Sequence, residues 1–275
     1  MRFGLGLDGQ YCDQYNSEIV SFIASRSGSH LSIVSPDLTV VEQLVPSSGL
    51  VIHHLSGVGA SDAAGPNVER VAQLDVYSAE MRAVWCCEDL GTWSLGSMPL
   101  PYFVPPPLTE EVCSFVALGV ERIQEASSVP FLVENPYYSV VSGNLSLADF
   151  FTKLVNRSGC SLVLDLPHLV SYCMATSSAP ERELSRFPLA AVTEIHLAGG
   201  KVSPKYQNRY VDTHSDPILE VVYDLLDQAL EGAKNLRAVT YEVGKDLVAE
   251  TFLAEAKKIE SSLARANFAP FSDAV

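Results

Sequence analysis

The chain is poor in positive charge. Its 275 residues hold 18 Lys and Arg against 33 Asp and Glu, a formal net charge of −15. Nucleic acid is therefore not an expected partner, since binding it relies on Lys and Arg neutralising phosphates. No apolar run is long enough to span a bilayer, and the start MRFGLGLDGQ lacks a basic segment followed by a hydrophobic one. The expectation is a cytoplasmic protein with no membrane partner. Cysteine is present at 12, 86, 87, 113, 160 and 173, but without a CxxC or a metal-finger spacing. Adjacent Cys86 and Cys87 do not pair easily, so all six read as reduced thiols, and the lack of a Cys cluster argues against iron–sulfur chemistry.

What is abundant is apolar sequence, 47% against 19% charged residues, which points to a well-buried core. Eight short apolar runs recur: Phe3–Leu7, Leu31–Ser35, Leu50–His54, Ala83–Cys87, Phe131–Glu134, Ser161–Asp165, Val192–Leu197 and Ala238–Val243. Helical patterns separate most of them, near Tyr15–Ser25, Asn67–Arg82, Thr109–Ser127, Ser146–Arg157, Asp216–Glu231 and Lys245–Ala266. Such alternation predicts a parallel sheet, and eight strands in this length predict an α/β fold closed as a (β/α)8 TIM barrel. No linker divides the chain, so residues 1–275 are expected to form one domain. Ser146 reads as a helix cap, and Asp216-Pro217 as a cap followed by proline in the first turn. The links after the second and sixth runs show no clear helical stripe. Ser94–Pro107 is too rich in proline for a helix and reads as a long ordered loop.

Polar residues gather where the runs end. The third run ends VIHHL (His53, His54), the fourth leads into CCEDL (Glu88, Asp89) and the fifth ends VENP (Glu134, Asn135). The sixth ends LDLPHL (Asp165, His168), the seventh EIHLAGG (His196) and the eighth YEVG (Glu242), while Asp212 and His214 follow in the loop after the seventh. In a barrel these ends share one mouth. Neighbours in a strand point to opposite faces, so only one of His53 and His54, and one of Glu88 and Asp89, can face the axis. Any single acid here reads most simply as a helix cap, and Asn135 before proline as a turn residue. The whole set reads differently, because crowded carboxylates repel unless cations compensate them. Mixed His, Asp and Glu donors suit iron, manganese or zinc.

The ordered set of a third-run His, an acidic pair, ENP, LDLPH, IHLAGG, DTHSDP and YE resembles the multinuclear non-heme iron-dependent oxidative enzymes (MNIO), over about His53 to Glu242. The resemblance implies a xylose-isomerase-like TIM barrel holding two or three irons of mixed Fe(II)/Fe(III) state and using dioxygen. It implies as substrate a ribosomally made precursor peptide containing cysteine, presented by a small partner protein in a heterodimer. The metal ligands it implies are His53, Glu88, Asp89, Glu134, Asp165, His168, His196, Asp212, His214 and Glu242, with His168, Asp212 and His214 catalytic and Asn135 available to substrate. Two departures stand out. Asp89 replaces a histidine found in many members, and near the second run only Asp37 stands in for a frequent glutamate. Lys205 and Arg209, in the loop before Asp212, are the basic residues placed to grip a peptide.

Two other readings compete. Related barrels use similar ligands with zinc or manganese in hydrolases and isomerases, although the strand ends carry no clustered cations for a phosphate beyond Lys201, Lys205 and Arg209. A non-catalytic peptide-binding subunit is the other, and retention of His196, Asp212 and His214 speaks against it.

Overall fold

A computed structural model describes residues 2–8, 17–25, 28–34 and 50–266. Asp37, Cys12, Tyr15, Ser35 and the link after the second run lie outside the described residues.

All eight expected runs form barrel strands. They are β1 (Arg2–Asp8), β2 (His30–Val34), β3 (Leu50–His54), β4 (Cys86–Asp89), β7 (Phe131–Glu134), β8 (Ser161–Asp165), β9 (Val192–Ala198) and β12 (Ala238–Glu242). They close in the order β1-β12-β9-β8-β7-β4-β3-β2, each pair parallel. Two hairpins stand outside the ring: β5 (Thr92–Leu95) with β6 (Met98–Val104), and β10 (Gly200–Ser203) with β11 (Arg209–Asp212). The segment expected as a loop, Ser94–Pro107, is therefore largely a hairpin. Pro99 and Pro101 are tolerated because a two-stranded ribbon leaves edges where a missing N–H costs no ladder bond.

The described helices are α1 (Ser17–Ala24), α2 (Val68–Glu80), α3 (Glu110–Ala126), α4 (Leu147–Ser158), α5 (Leu166–Thr176), α6 (Pro180–Arg186), α7 (Glu220–Gly232) and α8 (Ala249–Arg265). Asn67, Thr109 and Ser146 cap α2, α3 and α4, each side-chain oxygen accepting a backbone N–H three residues on. In α3, Cys113, Val116, Ala117, Val120 and Ile123 are buried at the spacing of one helix face. The weakly patterned link after the sixth run is α5. Residues 166–173 are all buried, so the helix has no polar side to produce a stripe.

Asp216 does not cap α7, which begins at Glu220. Its carboxylate instead accepts the Thr213 hydroxyl at 2.7 Å and pairs with Lys201 at 2.8 Å. Gly199 is packed so closely on this segment that a Cβ there would lie 1.7 Å from the Asp216 carbonyl oxygen, which requires glycine. The cysteines at 86, 87, 113, 160 and 173 are buried and free. No described helix is long and apolar enough to cross a membrane.

Strand parity positions the site. Ile52, Trp85, Cys87, Leu132, Val163 and Ala238 pack together as an apolar plug. Two residues beyond Ile52, Cys87, Leu132 and Val163, on the same face, stand His54, Asp89, Glu134 and Asp165. The plug thus forms the floor beneath a ring of polar side chains at the C-terminal mouth.

Candidate metal centre

Glu134, on the last position of β7, is the hub. Its Oε2 lies 2.9 Å from His54 Nε2 and its Oε1 3.0 Å from His196 Nδ1. His168 Nδ1 stands 4.0 Å from Glu134 Oε1 and 3.6 Å from Asp89 Oδ1, and Asp89 Oδ2 is 3.8 Å from His54 Nε2. Glu242 reaches His196 Nδ1 at 3.5 Å and His214 Nε2 at 3.9 Å. Asp212 Oδ2 joins His214 Nε2 at 2.9 Å and His168 Nε2 at 3.3 Å. Five carboxylates (Asp89, Glu134, Asp165, Asp212, Glu242) and four imidazoles (His54, His168, His196, His214) therefore converge at the mouth. Three overlapping triads, Asp89–Glu134–His168, Glu134–Asp165–His196 and His54–His196–Glu242, bring their donor atoms within 4.8 Å of one another.

Local folding holds these groups. Asp165 ends β8 and caps α5, its Oδ1 accepting the His168 N–H at 2.5 Å. That cap places His168 in the first turn, where the ring Nδ1 lies 2.9 Å from the Asn135 carbonyl oxygen. His214 sits at φ 55°, a left-handed backbone that costs free energy in a non-glycine residue. Two backbone hydrogen bonds hold it there, His214 N–H to Gly199 O at 2.8 Å and Gly244 N–H to His214 O at 2.7 Å.

Several expected assignments change. His53 is not in the centre. It faces outward to α2, its Nδ1 2.6 Å from the Ser78 hydroxyl, and burial drops it to about 4. His54 takes its place. Glu88 also faces away from the centre; both its oxygens accept backbone N–H groups, from Val58 at 2.7 Å and Gly59 at 2.9 Å. Burial nevertheless raises it to about 8. Asn135 is not free for substrate, because its amide donates to Asp165 O at 2.8 Å and accepts from Asp165 N–H at 2.9 Å, fastening β7 to β8. Lys205 and Arg209 lie outside the ligand cluster, on a neighbouring groove of about 540 Å³ that Tyr137 and Tyr206 also line. The mouth itself is a cavity of about 580 Å³ bordered by His54, Asp89, His168 and His214, with Trp93 and Tyr102 of the β5–β6 hairpin overhanging it.

Electrostatics divide the acids. Burial alone would raise Glu134, yet the His196 and His54 rings beside it hold it well below the usual carboxylate range. His214 and His168 do the same for Asp212. Burial and the nearby Glu134 carboxylate push Asp89 up to about 7, and burial puts Asp165 well above its usual range. Burial opposes charge on the imidazoles too, but the Glu134 hydrogen bond and surrounding carboxylates lift His54 to about 10, and Asp212 lifts His214 to about 9. Protons on imidazoles thus supply the positive charge that the acids demand, a task a bound cation would take over. Asp89 Oδ1, Asp165 Oδ2 and Asp212 Oδ1 are buried without a hydrogen-bond partner among the described residues. Buried carboxylate oxygens left unpaired are costly, and hard cations satisfy them. The residues fit a metal centre.

The RiPP precursor modification enzyme MbnB/TglH/ChrH family matches this sequence over residues 2–264. The chain belongs to that family. It is 30% identical over 231 residues to a UPF0276 protein of Caulobacter vibrioides, covering 81% of this chain and 80% of that one. A UPF0276 protein of Vibrio vulnificus is 28% identical over 214 residues, covering 76% and 73%. Among solved structures, the IOLI protein with a bound zinc atom superposes with TM-score 0.62 at 11% identity, over 99% of this chain and 100% of that one. An L-ribulose 3-epimerase superposes with TM-score 0.59 at 12% identity, over 96% and 95%. These two likenesses establish the xylose-isomerase-like barrel and nothing about the reaction. As a member of the MbnB/TglH/ChrH family, the chain is a peptide-modifying enzyme.

Proposed function

We propose that this family member is an iron- and dioxygen-dependent oxidoreductase that modifies a cysteine of its precursor peptide. The observation that carries the reading is the buried oxygen with no hydrogen-bond partner among the described residues on each of Asp89, Asp165 and Asp212, set among four imidazoles. His54, Asp89, Glu134, Asp165, His168, His196 and Glu242 would hold two irons, and Asp212 with His214 would complete a third position or stay at the mouth as a proton-holding pair. Iron, when bound, supplies a Lewis acid for the substrate thiolate and electrons for dioxygen.

The remaining work falls to the chain. His214 has the most exposed imidazole of the four, at 31%, and its Nε2 is tied to Asp212 Oδ2. Asp212 keeps it protonated near neutrality, so the pair places a positive charge at the mouth that favours the thiolate form of the entering cysteine. The β5–β6 hairpin, through Trp93 and Tyr102, screens the mouth from water. Lys205 and Arg209 bind acidic groups of the peptide; Arg209 Nη1 is buried with no partner among the described residues. Tyr137 separates this groove from the centre, its ring edge-on to His168 at 6.1 Å between centroids. A small partner protein presents the peptide at this face.

The test is mass spectrometry of a cysteine-containing precursor peptide co-expressed with this chain and a neighbouring small protein. A mass change confined to cysteine, dependent on iron and dioxygen, is expected. An unmodified peptide with iron-loaded protein and air would overturn the proposal.

A further inference from the structure

We propose that Glu194, in the floor of the barrel, fixes the tautomer of His196 and thereby aims its Nδ1 lone pair at the centre; this rests on the metal-centre reading above. Glu194 is fully buried on β9, two residues before His196 and on the same face. It sits against the apolar plug, where a carboxylate is costly unless fully hydrogen-bonded. Trp85 Nε1–H donates to its Oε2 at 2.7 Å, and the Thr240 hydroxyl donates to its Oε1 at 2.5 Å. His196 Nε2 lies 3.0 Å from the same Oε1.

The chemistry of the partners fixes the direction of these bonds. Trp85 can only donate, and Thr240 has a single hydroxyl proton, which goes to Glu194. His30 Nε2, 2.7 Å from Thr240 Oγ1, must then be the donor to that hydroxyl. Trp85 and Thr240 both donate hydrogen bonds to Glu194, and its ionised carboxylate can only accept, so His196 Nε2 carries a hydrogen. His196 Nδ1 faces Glu134 at 3.0 Å and Glu242 at 3.5 Å; in the metal-free protein it holds a hydrogen towards Glu134, and that hydrogen, not the one on Nε2, is the one a metal would displace. Cys87, Glu194 and His196 also come within 4.8 Å of one another. Glu194 is nevertheless not a ligand there, because three donors already occupy its oxygens. Its role is that of a positioning residue, orienting the ring and raising the basicity of the nitrogen that binds metal. Of the three groups that Glu194 accepts from, His196 alone belongs to the centre, so it is through this ring that the acid acts on metal.

The experiment titrates metal-free protein with Zn(II) by calorimetry, and anaerobically with Fe(II), comparing wild type with Glu194→Gln and Thr240→Val. Glutamine keeps the shape but offers an N–H to His196 Nε2, which would move the ring hydrogen to Nδ1. Glu194→Gln is expected to weaken metal affinity about 10- to 100-fold. Thr240→Val removes a donor without touching the His196 bond and should leave affinity within a few-fold of wild type. A structural role alone predicts the same loss in both variants. Imidazole nitrogen NMR on zinc-loaded wild type gives a second readout independent of any variant's folding: hydrogen on His196 Nε2 and metal on Nδ1 are expected. Hydrogen on Nδ1, or equal affinity in wild type and Glu194→Gln, overturns the inference. Wild type that binds neither metal removes the metal-centre reading itself.

Discussion

His54 Nε2 lies 2.9 Å from Glu134 Oε2, while the ring of its neighbour His53 points the other way, to Ser78. One strand thus presents one imidazole to the centre and the other to a helix. The two substitutions should part. His54→Ala is expected to lower metal content with little loss of fold, whereas His53→Ala should leave metal content intact and destabilise, as elemental analysis and thermal melting will show.

The acidic pair on β4 gives a parallel contrast. Glu88→Ala leaves the Val58 and Gly59 N–H groups without their acceptor and should cost roughly 2–4 kcal/mol of stability at unchanged metal content. Asp89→Ala removes an acid with an unpaired buried oxygen and should lower metal per chain without a comparable drop in melting temperature. Asp89→His, which supplies the imidazole expected at this position from the family resemblance, should recover metal binding.

His53 makes stability depend on pH in a definite direction. Its folded value is about 4, against an ordinary 6.5. Between those values the unfolded chain binds the extra proton, so stability rises with pH across the window and is lost as pH falls through it. The contribution is on the order of 1–3 kcal/mol. Denaturant melts of metal-free protein from pH 4 to 7 should show this slope, and His53→Gln should flatten it.

Metal uptake should strengthen with pH. His54, raised to about 10, and His214, raised to about 9, hold protons near neutrality in the metal-free protein. Each proton displaced by a metal makes the apparent affinity rise about tenfold per pH unit below those values. Calorimetry in buffers of different ionisation enthalpy counts the protons released.

Lys205→Ala with Arg209→Ala should weaken peptide binding roughly tenfold, more at low salt, while metal content stays the same. Fluorescence titration with a labelled precursor peptide reads this, and unchanged binding assigns the groove another role.

The barrel was legible because buried parallel strands are continuous apolar runs, and Phe131–Glu134 or Ser161–Asp165 show this without help from context. The polar mouth was legible for the same reason, since an Asp or His ending such a run is conspicuous. Parity within HH and ED was not. Both members of each pair are polar, and only the register that sets His54 beside Cys87 and His53 beside Cys86 separates them. Counting by twos offers a partial signal: Glu194 precedes His196 by two, so an acid had to share its face. The start of α7 is not legible at Asp216, because its carboxylate is taken by Thr213 and Lys201, contacts set by the fold of the whole loop. The hairpin at Ser94–Pro107 escaped because proline hides strand character on an edge.

The most direct measurement is iron per chain in protein reconstituted anaerobically with Fe(II) and freed of loosely held metal. At least two irons per chain are expected, with the value falling in His54→Ala and Asp89→Ala but not in His53→Ala or Glu88→Ala. Zinc alone in the isolated protein, with no iron taken up on reconstitution and no difference among the four variants, would contradict it.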